Sequence, residues 1–215
     1  MSSTRFFLIR HALVTPVART ILYGSMDVAL CEQTLAENAA LYGWLAARLP
    51  RGARWVTSPL SRTRATAAAI FAAGYPACDL IEEAGLVEQH LGEWQGIRHE
   101  ELVERLKHPA HPFWPHAGEE QPPGGEAFAD VMQRVGEVLD RYARTHAGQD
   151  IVMIAHGGSI RAAIAHAMQL SPHQALSFSI QNLGLTRLNR LGDDWQVAAV
   201  NEEPWVARGC LSTAL

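Results

Sequence analysis

The sequence predicts an α/β fold: a three-layer α/β/α sandwich around a mostly parallel sheet, with an antiparallel strand or hairpin at one edge. Three observations carry this expectation. Short continuous apolar runs, above all Phe6–Ile9 and Ile151–Ala155, have the length and composition of strands buried on both faces. Helical stretches alternate with these runs, as crossovers between parallel strands require. Two late strand-like segments flank Gly192-Asp193-Asp194, a turn signal for a hairpin at a sheet edge.

The elements follow in order. Arg5 to Ile9 reads as the first strand. Thr34 to Leu49 has few breakers and carries Leu35, Ala39, Tyr42, Leu45, Ala46 and Leu49 on one stripe, which predicts a helix. Arg54 to Thr57 reads as a second strand. Ser58-Pro59 then looks like an N-cap followed by proline at the first helical position, with the helix continuing to about Ala73. Asp79 to Gly96 is mixed and punctuated by glycine, and a short helix is expected near His99 to Leu106. His108 to Gly125 holds Pro109, Pro112, Pro115, Pro122 and Pro123 and cannot be a regular element. Gly125 to His146 places Phe128, Val131, Val135, Val138, Leu139 and Tyr142 on one side of a helix. Ile151 to Ala155 is the clearest buried strand, and a helix follows it to about Met168. Leu183 to Leu191 and Trp195 to Val200 form the expected hairpin.

At 215 residues the chain can bury one substantial core, so a single domain over 1–215 is expected, with a cap or insertion at about 98–125. Apolar and charged fractions of 48% and 19% are those of an ordinary globular protein. A formal net charge of −4 argues against broad attraction to nucleic acid or to an anionic membrane, while leaving room for a local basic pocket. Lys107 is the only lysine among 18 basic residues, a bias that base composition explains. Cys31, Cys78 and Cys210 are odd in number and widely spaced, which predicts reduced thiols, most of them small core residues, in a cytoplasmic protein. The apolar run at the N-terminus is too short for a signal core or a membrane span. Trp205 hints that the tail from Glu202 to Leu215 docks on the domain. The sequence does not set the oligomeric state, a homodimer being one option.

Three predicted strand-to-helix junctions carry unusual polar residues: Arg10-His11, Ser58-Pro59-Leu60-Ser61-Arg62 and His156-Gly157-Gly158-Ser159. Ligands of open parallel sheets bind outside the carboxyl ends of the strands. If the three strands are neighbours, Arg10, His11, Arg62 and His156 converge on one crevice. Two arginines offer forked donors suited to phosphate oxygens. Helix N-termini at Ser58 and Gly157 add unpaired N–H groups, and the glycines allow close approach of the backbone. Nearby arginine charges keep an imidazole neutral and nucleophilic. The ligand implied is a phosphate. Each piece has a plain alternative, since His156 can be a helix-start residue and Arg62 a solvated first-turn arginine; the joint pattern decides.

The chain resembles the histidine phosphatase superfamily, the phosphoglycerate mutase-like family, from Phe6 to about Leu188. Arg10-His11 after an apolar strand is similar to its opening Arg-His-Gly motif, and Gly24 to Leu30 to the Gly-x-x-Asp-x-Pro-Leu stretch that follows. Ser58-Pro59-Leu60-Ser61-Arg62 with Thr66-Ala67 resembles Ser-Pro-Leu-x-Arg-x-x-x-Thr-Ala. Leu86-Val87-Glu88 through Gly96 resembles the acid-bearing segment, Pro123-Gly124-Gly125-Glu126 the Pro-Gly-Gly-Glu motif, and His156 to Arg161 the late histidine motif. The resemblance implies that His11 is the phosphorylated nucleophile. Arg10, Arg62 and His156 would hold the phosphoryl oxygens, with Gly157 beside them, and Glu88 would protonate the leaving alcohol. Glu83 is the second choice for that acid. No metal or cofactor is implied, and the partner is a small phosphorylated substrate. Departures from the family are Ala12 for glycine, Leu13 for glutamate, Val17 for a phosphate-pocket asparagine and Thr34 for glycine. Thr15 or Tyr23 is a candidate replacement for the contact missing at 17.

Rival readings are weaker. His108, His111 and His116 share a loop, but their spacing fits no common metal site. A serine hydrolase needs a Gly-x-Ser-x-Gly elbow and a P-loop enzyme its lysine; both are missing. A non-catalytic phospho-ligand binder conflicts with the joint presence of His11, Glu88 and His156. Among enzymes, the short chain and Val17 favour a phosphatase over a mutase. Phe113 and Trp114 are candidates to cover a partly apolar substrate.

Overall fold

The computed structural model describes residues 3–204. Six strands, β1 (Thr4–Arg10), β2 (Arg54–Thr57), β3 (Leu80–Glu82), β4 (Asp150–Ala155), β5 (Leu185–Leu191) and β6 (Asp194–Glu202), form one sheet in the order β3-β2-β4-β1-β5-β6. The first four in that order run parallel, β5 returns antiparallel to β1, and β6 antiparallel to β5. Seven helices are present among the described residues: α1 (Glu32–Glu37), α2 (Ala39–Arg48), α3 (Ser61–Ala72), α4 (His99–Leu102), α5 (Phe128–Thr145), α6 (Gly157–Met168) and α7 (Pro172–Ala175). The chain is thus the expected α/β sandwich with an antiparallel edge hairpin.

The period of two in a strand assigns the apolar run of β1 to both layers. Phe6 and Leu8 join Val56, Ile151 and Met153 under α5 and α6, whereas Phe7 and Ile9 join Trp55, Val152 and Ile154 under α2 and α3. Each fully buried side chain of this size contributes on the order of 1.5–3 kcal/mol, so a one-residue slip of β1 would be strongly opposed.

Several elements depart from expectation. The helix expected over 34–49 is broken at Asn38 (φ −90°, ψ 16°) into α1 and α2, a turn conformation that a short amide side chain favours. Ser58 does not cap a helix: α3 starts at Ser61 after an extended Leu60, and the Ser58 hydroxyl is used elsewhere. β3 escaped notice because it is three residues long, lies at the edge and is largely exposed, so no apolar run marks it. α5 begins at Phe128, three residues after Gly125, where Asp130 accepts the Ala127 N–H at 2.8 Å. Cys31 is half-buried and Cys78 exposed, so neither is a core residue. Cys210 and Trp205 lie outside the described residues.

Residues 98–125 contain α4 and one further turn at Val103–Arg105, and nothing regular follows before α5. The irregular stretch is pinned by the buried Glu120 carboxylate, which accepts the N–H groups of Lys107 (3.1 Å) and His108 (3.0 Å). Beneath it, Leu22, Leu91, Trp94 and Leu102 form a small separate core. Among the described residues no helix is long and apolar enough to cross a membrane.

Candidate active site

β1, β4 and β2 are neighbours, and their carboxyl ends finish level: Arg10 is opposite Ala155 and Thr57 opposite Ile154. The ladder runs one residue further on each side, with His11 N–H donating to Ala155 O (3.0 Å) and Ser58 N–H to Ile154 O (3.1 Å). Three junctions distant in sequence therefore emerge side by side.

His11 and His156 are almost wholly buried, with ring centroids 5.2 Å apart. His11 Nδ1 lies 2.7 Å from the carbonyl oxygen of Ala12. A carbonyl only accepts, so Nδ1 carries the proton and Nε2 keeps its lone pair. Burial first, then the charges of Arg10 and Arg62, hold the His11 pKa well below its ordinary 6.5. His156 has the opposite tautomer. Its Nδ1 accepts from Arg62 Nε at 3.3 Å, so Nε2 bears the hydrogen and donates to Ser58 Oγ at 2.8 Å. Burial, with His11, Arg62 and Arg10 nearby, keeps this ring neutral as well.

Arg62 is fully buried on the first turn of α3. It also donates to the carbonyls of Met26 (2.6 Å) and Gly24 (2.8 Å), and the Tyr23 ring lies 5.3 Å from its guanidinium carbon. Asp27 fixes the same segment by accepting from Ser61 N (2.8 Å) and Ser61 Oγ (2.6 Å). Three of the five Arg62 N–H groups are thereby committed and two remain. Arg10 donates to Ile180 O at 2.6 Å, while its buried Nε has no partner.

Glu88 reaches the cluster from the segment before Gly92. Its oxygens accept the backbone N–H of Gly158 (3.0 Å) and of Gln89 (3.0 Å), which ties the carboxyl to the first turn of α6. Only a glycine at 158 permits this, since a β-carbon there would collide with the Glu88 carboxyl. A cavity of about 610 Å³ opens in front, lined by Arg10, Tyr23, Glu88, Gly157 and Asn182 together with Arg19, His99 and apolar groups that include Leu22, Leu91 and Trp114. His11, Arg62 and His156 are not on its lining; they sit against Arg10 and Gly157, closed off from solvent.

Residues 6–203 match the sequence model of the histidine phosphatase superfamily (branch 1). The chain belongs to that superfamily. The metal-independent phosphoserine phosphatase of Arabidopsis thaliana is 28% identical over 213 residues, covering 96% of this chain and 87% of that protein. A bifunctional protein of Mycobacterium tuberculosis is 33% identical over 153 residues, or 71% of this chain; the match spans only 41% of its length. 2,3-Bisphosphoglycerate-dependent phosphoglycerate mutases are also among the relatives. In fold, a mycobacterial glucosyl-3-phosphoglycerate phosphatase superposes with a TM-score of 0.77 at 23% identity, covering 93% of this chain and 99% of that one.

Within this member of the superfamily the departures from the family motifs have definite places. Val17 is 77% exposed and does not line the cavity. Thr15 only supports the local turn, accepting Ala18 N–H at 3.4 Å, whereas Tyr23 lines the cavity. Ala12 is buried and donates its N–H to Thr66 Oγ1 at 2.9 Å, so a methyl is accommodated where the family has glycine. Glu83 is occupied elsewhere, paired with Arg141 at 2.6 Å. Trp114 lines the cavity, but Phe113 is 74% exposed and does not. His111 and His116 are buried, and His116 takes the Trp114 indole N–H at 3.2 Å; no group of three metal-ligating side chains exists among the described residues.

Sequence reasoning missed two groups. Ser58 reads in the sequence as a helix cap, yet its hydroxyl serves His156. Asn182 donates to the His11 carbonyl at 2.8 Å, and Leu183 N–H donates to Arg10 O at 3.0 Å, from a loop just ahead of β5. The antiparallel sense of β5 puts the start of that strand beside the end of β1, a signal available only once the hairpin is placed on the sheet.

Proposed function

We propose that this chain is a metal-independent phosphomonoesterase that hydrolyses a small phosphorylated metabolite through a phosphohistidine at His11. The observation carrying the proposal is the His11 ring, neutral, with Nδ1–H held by Ala12 O and an Nε2 lone pair set among Arg10, Arg62 and His156. Nε2 attacks phosphorus, the bond from phosphorus to the ester oxygen breaks, and Glu88 gives a proton to the departing alcohol. A water then attacks the phosphohistidine, its proton returns to Glu88, and the N–P bond breaks to release orthophosphate and His11. The transition state is loose, so positioning and positive charge carry most of the catalysis. Arg10, the two free N–H groups of Arg62 and the His156 Nε2–H supply that charge and those donors, the last by exchanging its bond to Ser58 for one to a phosphoryl oxygen.

Hydrolysis is favoured over mutase chemistry by the absence of the family asparagine at 17. A mutase must retain its phosphohistidine from water and grip a second charged group. The Arabidopsis relative, matched over most of both chains, is itself named a phosphatase. We read 98–125 as a cap on a single domain, since His99, Trp114, Pro115 and His116 line the cavity from that segment. The unpaired Cys31 and Cys78 are consistent with a cytoplasmic enzyme.

The test is hydrolysis of p-nitrophenyl phosphate in EDTA by wild type and His11→Ala, followed by a panel of phosphorylated metabolites. Loss of about a thousandfold or more in the variant is expected. Equal rates for the two proteins would end the His11 assignment.

A further inference from the structure

Arg161 is a cation that the proposed chemistry leaves unused. It sits one turn into α6, in the closing position of the His156-Gly157-Gly158-Ser159-Ile160-Arg161 motif, and only 6% of it is exposed. Its Nε donates to Phe178 O at 2.8 Å, and the Trp114 ring covers its guanidinium carbon at 4.3 Å. Nη1 is buried and has no hydrogen-bond partner. Arg10 Nε is the second guanidinium nitrogen in the site of which this is true.

The two orphaned donors face the same gap. The point that a β-carbon on Gly157 would occupy lies 3.0 Å from Arg161 Nη1 and 3.6 Å from Arg10 Nε. Gly157 and Trp114 both line the cavity, so the gap adjoins the space a substrate enters. Two buried guanidinium groups this close repel each other, and a buried N–H without an acceptor is costly. Burial and the neighbouring Arg10 charge push the Arg161 pKa down to about 10. A dianion relieves both penalties at once; a neutral acceptor satisfies the N–H groups but leaves the repulsion.

We infer that Arg161 is a third phosphoryl-binding arginine, its Nη1 donating with Arg10 Nε to the same bound oxyanion in the gap that Gly157 leaves open. This rests on the reading of the site as a phosphoryl pocket, but not on which residue is the nucleophile. It also gives the chain a donor in compensation for Val17, drawn from α6 and not from the segment around 17.

The experiment compares wild type, Arg161→Met and Arg161→Lys with p-nitrophenyl phosphate as substrate and orthophosphate as inhibitor. A lost charge-assisted contact to the phosphoryl group weakens orthophosphate inhibition by about 10- to 100-fold in Arg161→Met and lowers kcat/KM in parallel, with Arg161→Lys intermediate. An orthophosphate inhibition constant within twofold of wild type overturns the inference, even where particular esters turn over more slowly. Should Arg161→Met fail to fold, the wild-type crystal structure with orthovanadate decides. An oxygen of the vanadate within hydrogen-bond reach of Arg161 Nη1 supports the assignment, and one more than about 4 Å away overturns it. The outcome is separable from the His11 proposal: full turnover by His11→Ala would sink that mechanism while leaving the orthophosphate comparison intact.

Discussion

Ser58 Oγ accepts the Nε2–H of His156 at 2.8 Å, and both side chains are fully buried. With Arg62 donating to the other ring nitrogen, the imidazole is held at both ends and has one possible tautomer. Ser58→Ala removes one of those holds and leaves a buried N–H without a partner. The expected cost is about 1–3 kcal/mol in stability and about tenfold in kcat/KM. Urea denaturation together with steady-state kinetics reads both; unchanged kcat/KM would show that Ser58 does not orient His156 for the reaction.

The two buried imidazoles set the response to pH. Their native pKa values lie well below 6.5, whereas an unfolded histidine protonates near 6.5. Above pH 6.5 neither state binds the proton, and the full stability is present. Below it the unfolded chain takes up protons that the native protein refuses, so stability falls by about 1.4 kcal/mol per pH unit for each histidine until the native pKa is reached. His116, also depressed by burial, acts in the same direction. The catalytic consequence has the same sign. As the proposed nucleophile, His11 stays neutral in mildly acid solution, so the acid limb of kcat/KM that it would control falls below pH 6.5. Denaturation curves from pH 5 to 8 that show no loss toward acid would contradict this account.

Much of the fold and of the site is legible in the sequence, for identifiable reasons. Phe6–Ile9 and Ile151–Ala155 are buried on both faces, so their apolar continuity alone betrays them. The polar residues at their carboxyl ends had to meet if the strands were neighbours, and β4 does lie between β1 and β2. What stayed hidden was long-range or locally ambiguous. Ser58-Pro59 has the chemistry of a helix start, yet the partner that claims the hydroxyl is 98 residues away. Asn182 acts on His11 from a loop whose position depends on an antiparallel return strand. Of the adjacent Phe113 and Trp114, only the indole faces inward, where His116 takes its N–H.

Gly158 is where backbone and acid meet. Its N–H holds Glu88 Oε2, and a β-carbon at this position would strike the same carboxyl. Gly158→Ala therefore displaces Glu88 while leaving His11, Arg10 and Arg62 in place. In the proposed mechanism esters with poor leaving groups need the proton from Glu88, whereas p-nitrophenol leaves without much help. The expected pattern is a loss of about 100-fold in kcat for alkyl phosphates against about tenfold or less for p-nitrophenyl phosphate. Equal losses on both would remove Glu88 from the role of proton donor.

Glu120 offers a way to loosen the proposed cap without touching the proposed reacting groups. Its carboxylate is 1% exposed and gathers the N–H groups of Lys107 and His108, closing the proline-rich stretch on itself. Within that closure His116 donates from Nδ1 to Ala117 O at 2.9 Å and accepts the Trp114 indole on its other nitrogen, which fixes Trp114 on the cavity wall. Charge-assisted bonds of this kind contribute about 1.5–3 kcal/mol each, most of which Glu120→Ala forfeits locally, since residues 106–127 form no ladder that would spread the loss. The variant should keep the global melting transition within a few degrees of wild type. It should gain rapid hydrogen exchange over 107–117 and raise KM several-fold with kcat nearly unchanged, because the proposed cap has softened and the proposed phosphoryl pocket has not. A fall in kcat with KM unaltered would mean that residues 98–125 act on the chemical step itself and are not a cap separate from the pocket.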